Sequence, residues 1–438
     1  MKKISKFLMV FLMGTVATTS FTACSDSDDE GFDRENPSIV NGWSGVKSEM
    51  WDITNQYVTA VVYPTYSNLA DKAEALYDKA VAMQTKYKAG QLTDADVEAT
   101  CEAFKEAREY WEKSEAFLYG AASDFNIDPH MDSWPLDQSQ IANFLSDSKM
   151  VNGLYSEDPI AFVNNNNGEF DTALGFHGIE FVLFRDGKAR PASIYSGIEN
   201  YESFKGKNVK CEDELAFLVA VAGDVRDHCY WLEVAWLGQA AKAAHKARVA
   251  TLGFDTHANS NKGYYYGANM ILAGNGYSSM LTINEPLVTL VGASGCGNIC
   301  NEVAEQKLGQ AYRVSTGTSN PDADEPESRD YIESPYSKRS FIDYRDNLYS
   351  IKNSLYGNFD QATPNDKSVI KFLEKYNYKD VETLKNALNT AIQSLSTPIS
   401  EDKHFVDNPG ADYVKTAIDA IADLNTQLEA AASWIEKQ

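Results

Sequence analysis

The sequence predicts an all-α protein built from two related helical-bundle domains packed side by side. Three observations carry that expectation: long apolar seams at helical spacing, scarce strand-like alternation, and a faint internal echo. Between 212 and 247, Leu215, Leu218, Ala222, Val225, Cys229, Leu232 and Trp236 recur at alternating gaps of three and four residues. That is the period of a helix buried along one stripe. Phe341, Tyr344, Leu348, Ile351 and Leu355 repeat it, and so do Ile418, Ile421, Leu424, Leu428, Ala431 and Ile435. Helices also fit 45–62, 64–89, 93–119, 286–310 and 380–398, while the Gly/Tyr-rich stretch 263–277 fits a hairpin or a loop packed on the bundle. The echo is the ending Leu118-Tyr119-Gly120, repeated as Leu355-Tyr356-Gly357, which suggests a duplicated bundle.

The 438 residues suit two domains, and 39 basic against 63 acidic side chains leave a net charge of −24. A surface this acidic repels phosphate backbones, so a nucleic-acid partner is excluded and cations or neutral ligands are favoured. Residues 1–23 read as a signal peptide. Lys2, Lys3 and Lys6 precede an apolar run from Phe7 to Val16 that is too short to span a bilayer. The run leads to Thr22-Ala23-Cys24, which resembles a bacterial lipobox, so Cys24 is expected to carry lipid. Residues 24–42 follow as an acidic tether. The expected location is the outer membrane of a Gram-negative bacterium, surface display included, with the lipid as the only membrane attachment. Residues 43–314 form the expected first bundle region, 315–335 a connecting loop rich in Pro, Ser and acids, and 336–438 the helices completing the second bundle. Export would place Cys101, Cys211, Cys229, Cys296 and Cys300 in an oxidising compartment. Five is an odd number, and Cys296/Cys300 alone make a weak metal or redox pair, so structural cysteines are expected.

Polar residues stand where a core should be. On the 93–119 stripe Val97, Cys101, Phe104, Arg108, Trp111, Glu115 and Leu118, two of seven positions are charged, with Glu112 one turn from Arg108. Charges inside a core are costly unless paired or metal-bound. Both a buried Arg–Glu pair and a ligand-facing patch fit. The second anomaly is 173–184, apolar on every side except at His177 and Glu180. Residues three apart share a helix face, so imidazole and carboxylate can converge on one cation. Equally, Glu180 can fix the tautomer of a core histidine. Gly175 and Gly178 cost helix stability and would clear space around the imidazole. There is no H-E-x-x-H, H-x-x-E-H, G-x-S-x-G, Walker A, Rossmann or EF-hand pattern, and the six histidines are scattered.

Gly175-Phe176-His177-Gly178-Ile179-Glu180 resembles the G-x-H-x-x-E motif of the imelysin-like family. Trp111-Glu112-Lys113-Ser114-Glu115, Asp132-Ser133-Trp134-Pro135-Leu136-Asp137, Asn301-Glu302-Val303 with Lys307-Leu308-Gly309, and Ser334-Pro335-Tyr336-Ser337 before Asp343-Tyr344 and Asn347 are similar to it as well. The resemblance covers roughly 45–436. It implies an exported protein of two related bundles with the motif helix at their junction, where Arg108, Glu115, His177 and Glu180 line one site. The family was named for a peptidase, yet many members are linked to iron uptake. The resemblance therefore implies a site for a metal ion or metal-bearing small ligand, with iron expected and zinc the alternative, serving an outer-membrane uptake system. His177 and Glu180 are the expected ligands, Glu115 the third. Arg108 would orient carboxylates or hold an anionic co-ligand, with Glu112, Asp137, Asp343 and Asn347 in support. Imidazole plus hard oxygen suits iron. The lack of a second histidine near the motif weighs against an imelysin-type zinc peptidase, the main rival. A haem- or glycan-binding surface built on Tyr264, Tyr265, Tyr266 and Tyr277 is the third possibility.

Overall fold

The computed structural model describes residues 43–261, 263–274, 278–321, 323 and 326–438. The leader, Cys24 and the tether lie outside them, as does Tyr277. The protein is all-α, with one two-stranded hairpin among the described residues, Phe184–Arg185 against Lys188–Ala189. Among the described residues no helix is long and apolar enough to cross a membrane.

Helix α1 (Val46–Tyr57) runs through a π turn at Val58–Val62 into α2 (Tyr63–Lys88). A capping box starts α3 (Asp94–Glu112): the Asp96 carboxylate accepts from the Thr93 backbone N–H at 3.1 Å and from its hydroxyl at 2.7 Å. The short α4 (Ile127–Met131) and the motif helix α5 (Gly175–Leu183) follow. Helix α6 (Cys211–Leu237) is buried on nearly all sides, so it forms the axis of its bundle rather than a face of it. It packs on α2 and α5, while α2 and α5 both pack on α3. Fully buried side chains such as Leu218 and Leu232 each contribute about 1.5–3 kcal/mol by leaving water.

The expected helix 212–247 stops at Gly238, whose φ of +55° ends it and where a Cβ would lie 2.3 Å from the Tyr265 ring. The expected helix 286–310 is three pieces: α7 (Glu285–Val291), α8 (Cys296–Glu302) and, after a π turn at Val303–Lys307, α9 (Gly309–Ser315). All three pack against the last helix rather than against α2 or α6. The C-terminal part adds α10 (Ser340–Tyr356), α11 (Val381–Ser400) and α12 (Asp412–Ile435), with α11 between α10 and α12. Helices α3 and α10 touch, and their charged seams meet there.

The five described cysteines are free and buried. Burial pushes the Cys101, Cys211 and Cys296 thiols up to about 12 and Cys229 and Cys300 higher still, which fits packed, protonated thiols. Tyr264, Tyr265 and Tyr266 are buried too. Tyr265 stacks on His257 with ring centroids 4.0 Å apart, and Tyr266 donates to Asp124 at 2.7 Å. These three rings pack the bundle and offer no surface to haem or glycan.

Candidate metal centre

The site is organised around Arg108. Its buried guanidinium meets Glu112, one turn on, at 2.5 Å, makes ion pairs with Asp132 and Glu333, and has Asp343 at 3.6 Å. Lys307, at the end of the second π turn, adds a buried cation 3.0 Å from Glu333. Burial works against both cations, but the carboxylates around them prevail and hold them charged well above their ordinary ranges. Asp132 also accepts from Trp111 Nε1 at 2.7 Å. Burial would raise its carboxyl, yet Arg108 and His177 outweigh that and keep it far below the usual carboxylate range.

Helix α5 supplies the imidazole. His177 Nε2 lies 3.0 Å from Asp132 Oδ1, and Nδ1 lies 3.7 Å from Glu180 Oε2. Burial disfavours the imidazolium, but the Asp132 and Glu180 carboxylates beside the ring prevail and push His177 up to about 9. At neutral pH the ring therefore carries a proton between two carboxylates. Glu180 is held from its other side: Oε1 accepts from the backbone N–H and the hydroxyl of Ser337, each at 2.7 Å. A carboxylate facing Nδ1, with Nε2 turned towards further carboxylates, resembles the disposition of metal-binding histidines, although at 3.7 Å Glu180 stands beyond hydrogen-bond distance.

The two motif glycines serve backbone contact, not room for the ring. Gly175 has φ +62°, and a Cβ on it would sit 2.1 Å from the Met131 carbonyl oxygen. A Cβ on Gly178 would sit 2.3 Å from the Ala173 carbonyl oxygen. The missing Cβ of Gly175 lets α5 dock on the end of α4, which sets Asp132 beside His177, while that of Gly178 lets α5 close on the turn that precedes it.

The structure places Arg108, Glu112, His177, Glu180, Asp343 and Asn347 in one buried neighbourhood. Asn347 Nδ2 donates to Glu112 Oε2 at 2.5 Å, and Asp343 accepts from Ser334 Oγ at 2.5 Å. Glu115 does not join them around His177. Helix α3 ends at Glu112, the Ser114 hydroxyl bonds back to the Trp111 carbonyl at 2.7 Å, and Glu115 opens a 3₁₀ turn. The expected seam register is broken there, and Glu115 faces the field of Lys307, Glu112, Asp128 and Glu302. Burial pushes its carboxyl well above the usual range, and burial with nearby Asp132 raises Asp128 to about 8. Asp137 is also elsewhere: it caps a following helix, accepting from the backbone N–H groups of Ser139 at 2.8 Å and Gln140 at 3.1 Å.

Asp132, Glu333, Lys307 and Ser337 are the residues that sequence reasoning did not single out. Asp132, Lys307 and Ser337 lie inside the stretches that carry the family resemblance, and Glu333 lies one residue before one of them, so only the resemblance pointed there. Asp132, His177 and Glu333 each offer a donor atom, all within 4.8 Å of one another and all buried. His177 Nε2, Glu180 Oε2 and Glu333 Oε2 make no hydrogen bond. One imidazole and two carboxylates suit a hard or borderline cation, which would have to displace the His177 proton and share Asp132 and Glu333 with Arg108. The residues fit such an ion.

Residues 62–430 match the family described as Imelysin. The chain belongs to the imelysin family. Among curated proteins, iron-regulated protein A of Synechococcus elongatus is 32% identical over 136 residues. That match spans 30% of this chain and only 32% of the relative. Two solved structures share the imelysin fold. One is described as an iron-regulated protein A precursor from Parabacteroides distasonis, with TM-score 0.70 and 24% identity, covering 92% of this chain and 99% of that one. The other, an imelysin-like protein from Psychrobacter arcticum, has TM-score 0.53 and 15% identity, covering 89% and 95%. At these identities the likeness concerns the fold alone.

Proposed function

We propose that this imelysin-family protein binds a metal ion or a small metal-bearing ligand at the Arg108–His177 centre, in the service of iron acquisition. The carrying observation is the convergence of Asp132, His177 and Glu333 donor atoms within 4.8 Å in a buried cluster rich in carboxylates. The ligand set is His177 Nε2 with Asp132 and Glu333, while Glu180 orients the ring through Nδ1 rather than binding the ion. Arg108 and Lys307 keep the remaining carboxylates from repelling one another. The name of the Synechococcus relative, iron-regulated protein A, supports iron as the cargo. The leader and Cys24 support a lipid-anchored protein at the outer membrane that passes its cargo to an uptake system. The peptidase reading is weaker: Asp132 is 6% exposed, His177 2% and Glu333 fully buried, so a polypeptide substrate has no access to the donors without the helices parting.

Titration of the purified, metal-stripped protein with Fe²⁺ under anaerobic conditions tests this. Asp132→Asn and Glu333→Gln should each weaken binding at this centre on the order of a hundredfold, while Glu115→Gln leaves it unchanged. Wild-type affinity in both ligand variants, or chelator-sensitive cleavage of unfolded substrates, would overturn the reading.

A further inference from the structure

A second set of donors lies on the opposite side of α4. His130, two residues before Asp132, points away from the centre described above and meets α6. There Asp224 and His228 stand one turn apart on the same face. His130 Nε2 is 2.5 Å from Asp224 Oδ2, and the two imidazole rings stack with centroids 4.0 Å apart. All three side chains are buried, and their donor atoms fall within 4.8 Å of one another. None of them belongs to the motif helix or touches Arg108.

Two details distinguish this cluster from an ordinary buried hydrogen-bond network. His228 Nδ1 lies 2.9 Å from the backbone carbonyl oxygen of Asp224, an acceptor only, so Nδ1 carries the hydrogen and the lone pair is on Nε2. The bond to the carbonyl fixes the tautomer as bonds behind metal-binding histidines do. Further, Asp224 Oδ1 is buried without a hydrogen bond, although His228 Nδ1 stands 3.5 Å away. A buried carboxylate oxygen left bare is costly unless something fills the position.

We infer that His130, Asp224 and His228 form a second cation site, for a divalent transition ion of the zinc or ferrous class. Two imidazoles and one carboxylate leaving open positions are the donor set such ions take. Donors around one tetrahedral ion at about 2.1 Å are roughly 3.4 Å apart, so the three side chains would have to draw together on the ion. Binding would release the proton between His130 Nε2 and Asp224. Trp231, Phe254 and Phe125, all half-buried, wall the site beside His228, with Trp231 stacked on Phe254 at 4.1 Å and on Phe125 at 4.9 Å. They put the site one aromatic layer below the surface, where an ion can enter by ring rotation.

The test uses Zn²⁺ on the full mature chain in equilibrium dialysis, with Glu333→Gln to disable the Arg108–His177 centre. The Glu333→Gln protein is expected to retain one tightly bound zinc. Adding His228→Gln or Asp224→Asn should weaken that zinc on the order of a hundredfold, with the helical circular dichroism unchanged. Zinc-edge X-ray absorption on the loaded Glu333→Gln protein needs no change in the cluster, and should read two imidazoles. No retained zinc, retention unaffected by His228→Gln and Asp224→Asn, or fewer than two imidazoles overturns the assignment. If Glu333→Gln binds as much zinc as wild type while His228→Gln loses one ion, the second site stands and the Arg108–His177 reading falls.

Discussion

Replacing Arg108 by Met tests whether the guanidinium holds the carboxylate cluster together. The side chain is fully buried and faces Glu112, Asp132, Glu333 and Asp343; among the described residues Lys307, His177 and Arg339 would remain to balance them. Met matches the volume of the aliphatic stem but supplies no charge. Breaking a buried ion pair by removing one partner costs about 3–5 kcal/mol, because the abandoned charge stays in a medium that cannot solvate it. Part of that cost is recoverable by protonation, which gives the prediction a sign in pH. In the wild type, Asp132 is held well below its ordinary range, so its contribution is fully present above about pH 4 and is lost only as pH falls further. In Arg108→Met the folded-state carboxyls move up, and the native variant binds protons that the wild type does not. Each such proton narrows the stability gap by about 1.4 kcal/mol per pH unit. Urea unfolding followed by tryptophan fluorescence should therefore show a gap of about 3–5 kcal/mol at pH 7.5 that shrinks towards pH 5. A gap below about 1 kcal/mol at pH 7.5, or one that stays constant down to pH 5, would refute the reasoning.

His177 is pushed up to about 9, above its unfolded value near 6.5, so its proton stabilises the fold fully below pH 6.5, and that stability is lost as pH rises through 9. Wild-type stability should fall more steeply over pH 6.5–9 than that of His177→Gln, by a slope approaching about 1.4 kcal/mol per pH unit; parallel curves would remove the imidazolium from the account. Gly175→Ala forces a Cβ towards the Met131 carbonyl at a φ of +62°. It should cost about 2–4 kcal/mol in chemical denaturation and weaken ion binding by moving α5 off Asp132, so an alanine variant with wild-type stability would show that the docking contact is unimportant.

The sequence by itself determined the helical class, because an apolar stripe repeating every three to four residues is a local property that any chain segment displays. It also exposed Arg108, His177 and Glu180, since a charge in an apolar seam conflicts with its neighbours before any fold is known. For Glu115 the seam assumed an unbroken helix past Glu112, whereas the chain tightens at Ser114 and Glu115 opens a 3₁₀ turn. Only the tertiary structure decided which carboxylates serve His177. Asp132 and Glu333 are 201 residues apart, and Glu333 lies in a segment that reads as a connecting loop, yet it pairs with Arg108 of α3. The same holds for His130 and His228, scattered in sequence and stacked in space. Which donors converge depends on how helices pack, and packing is settled by contacts between distant segments that no local period encodes.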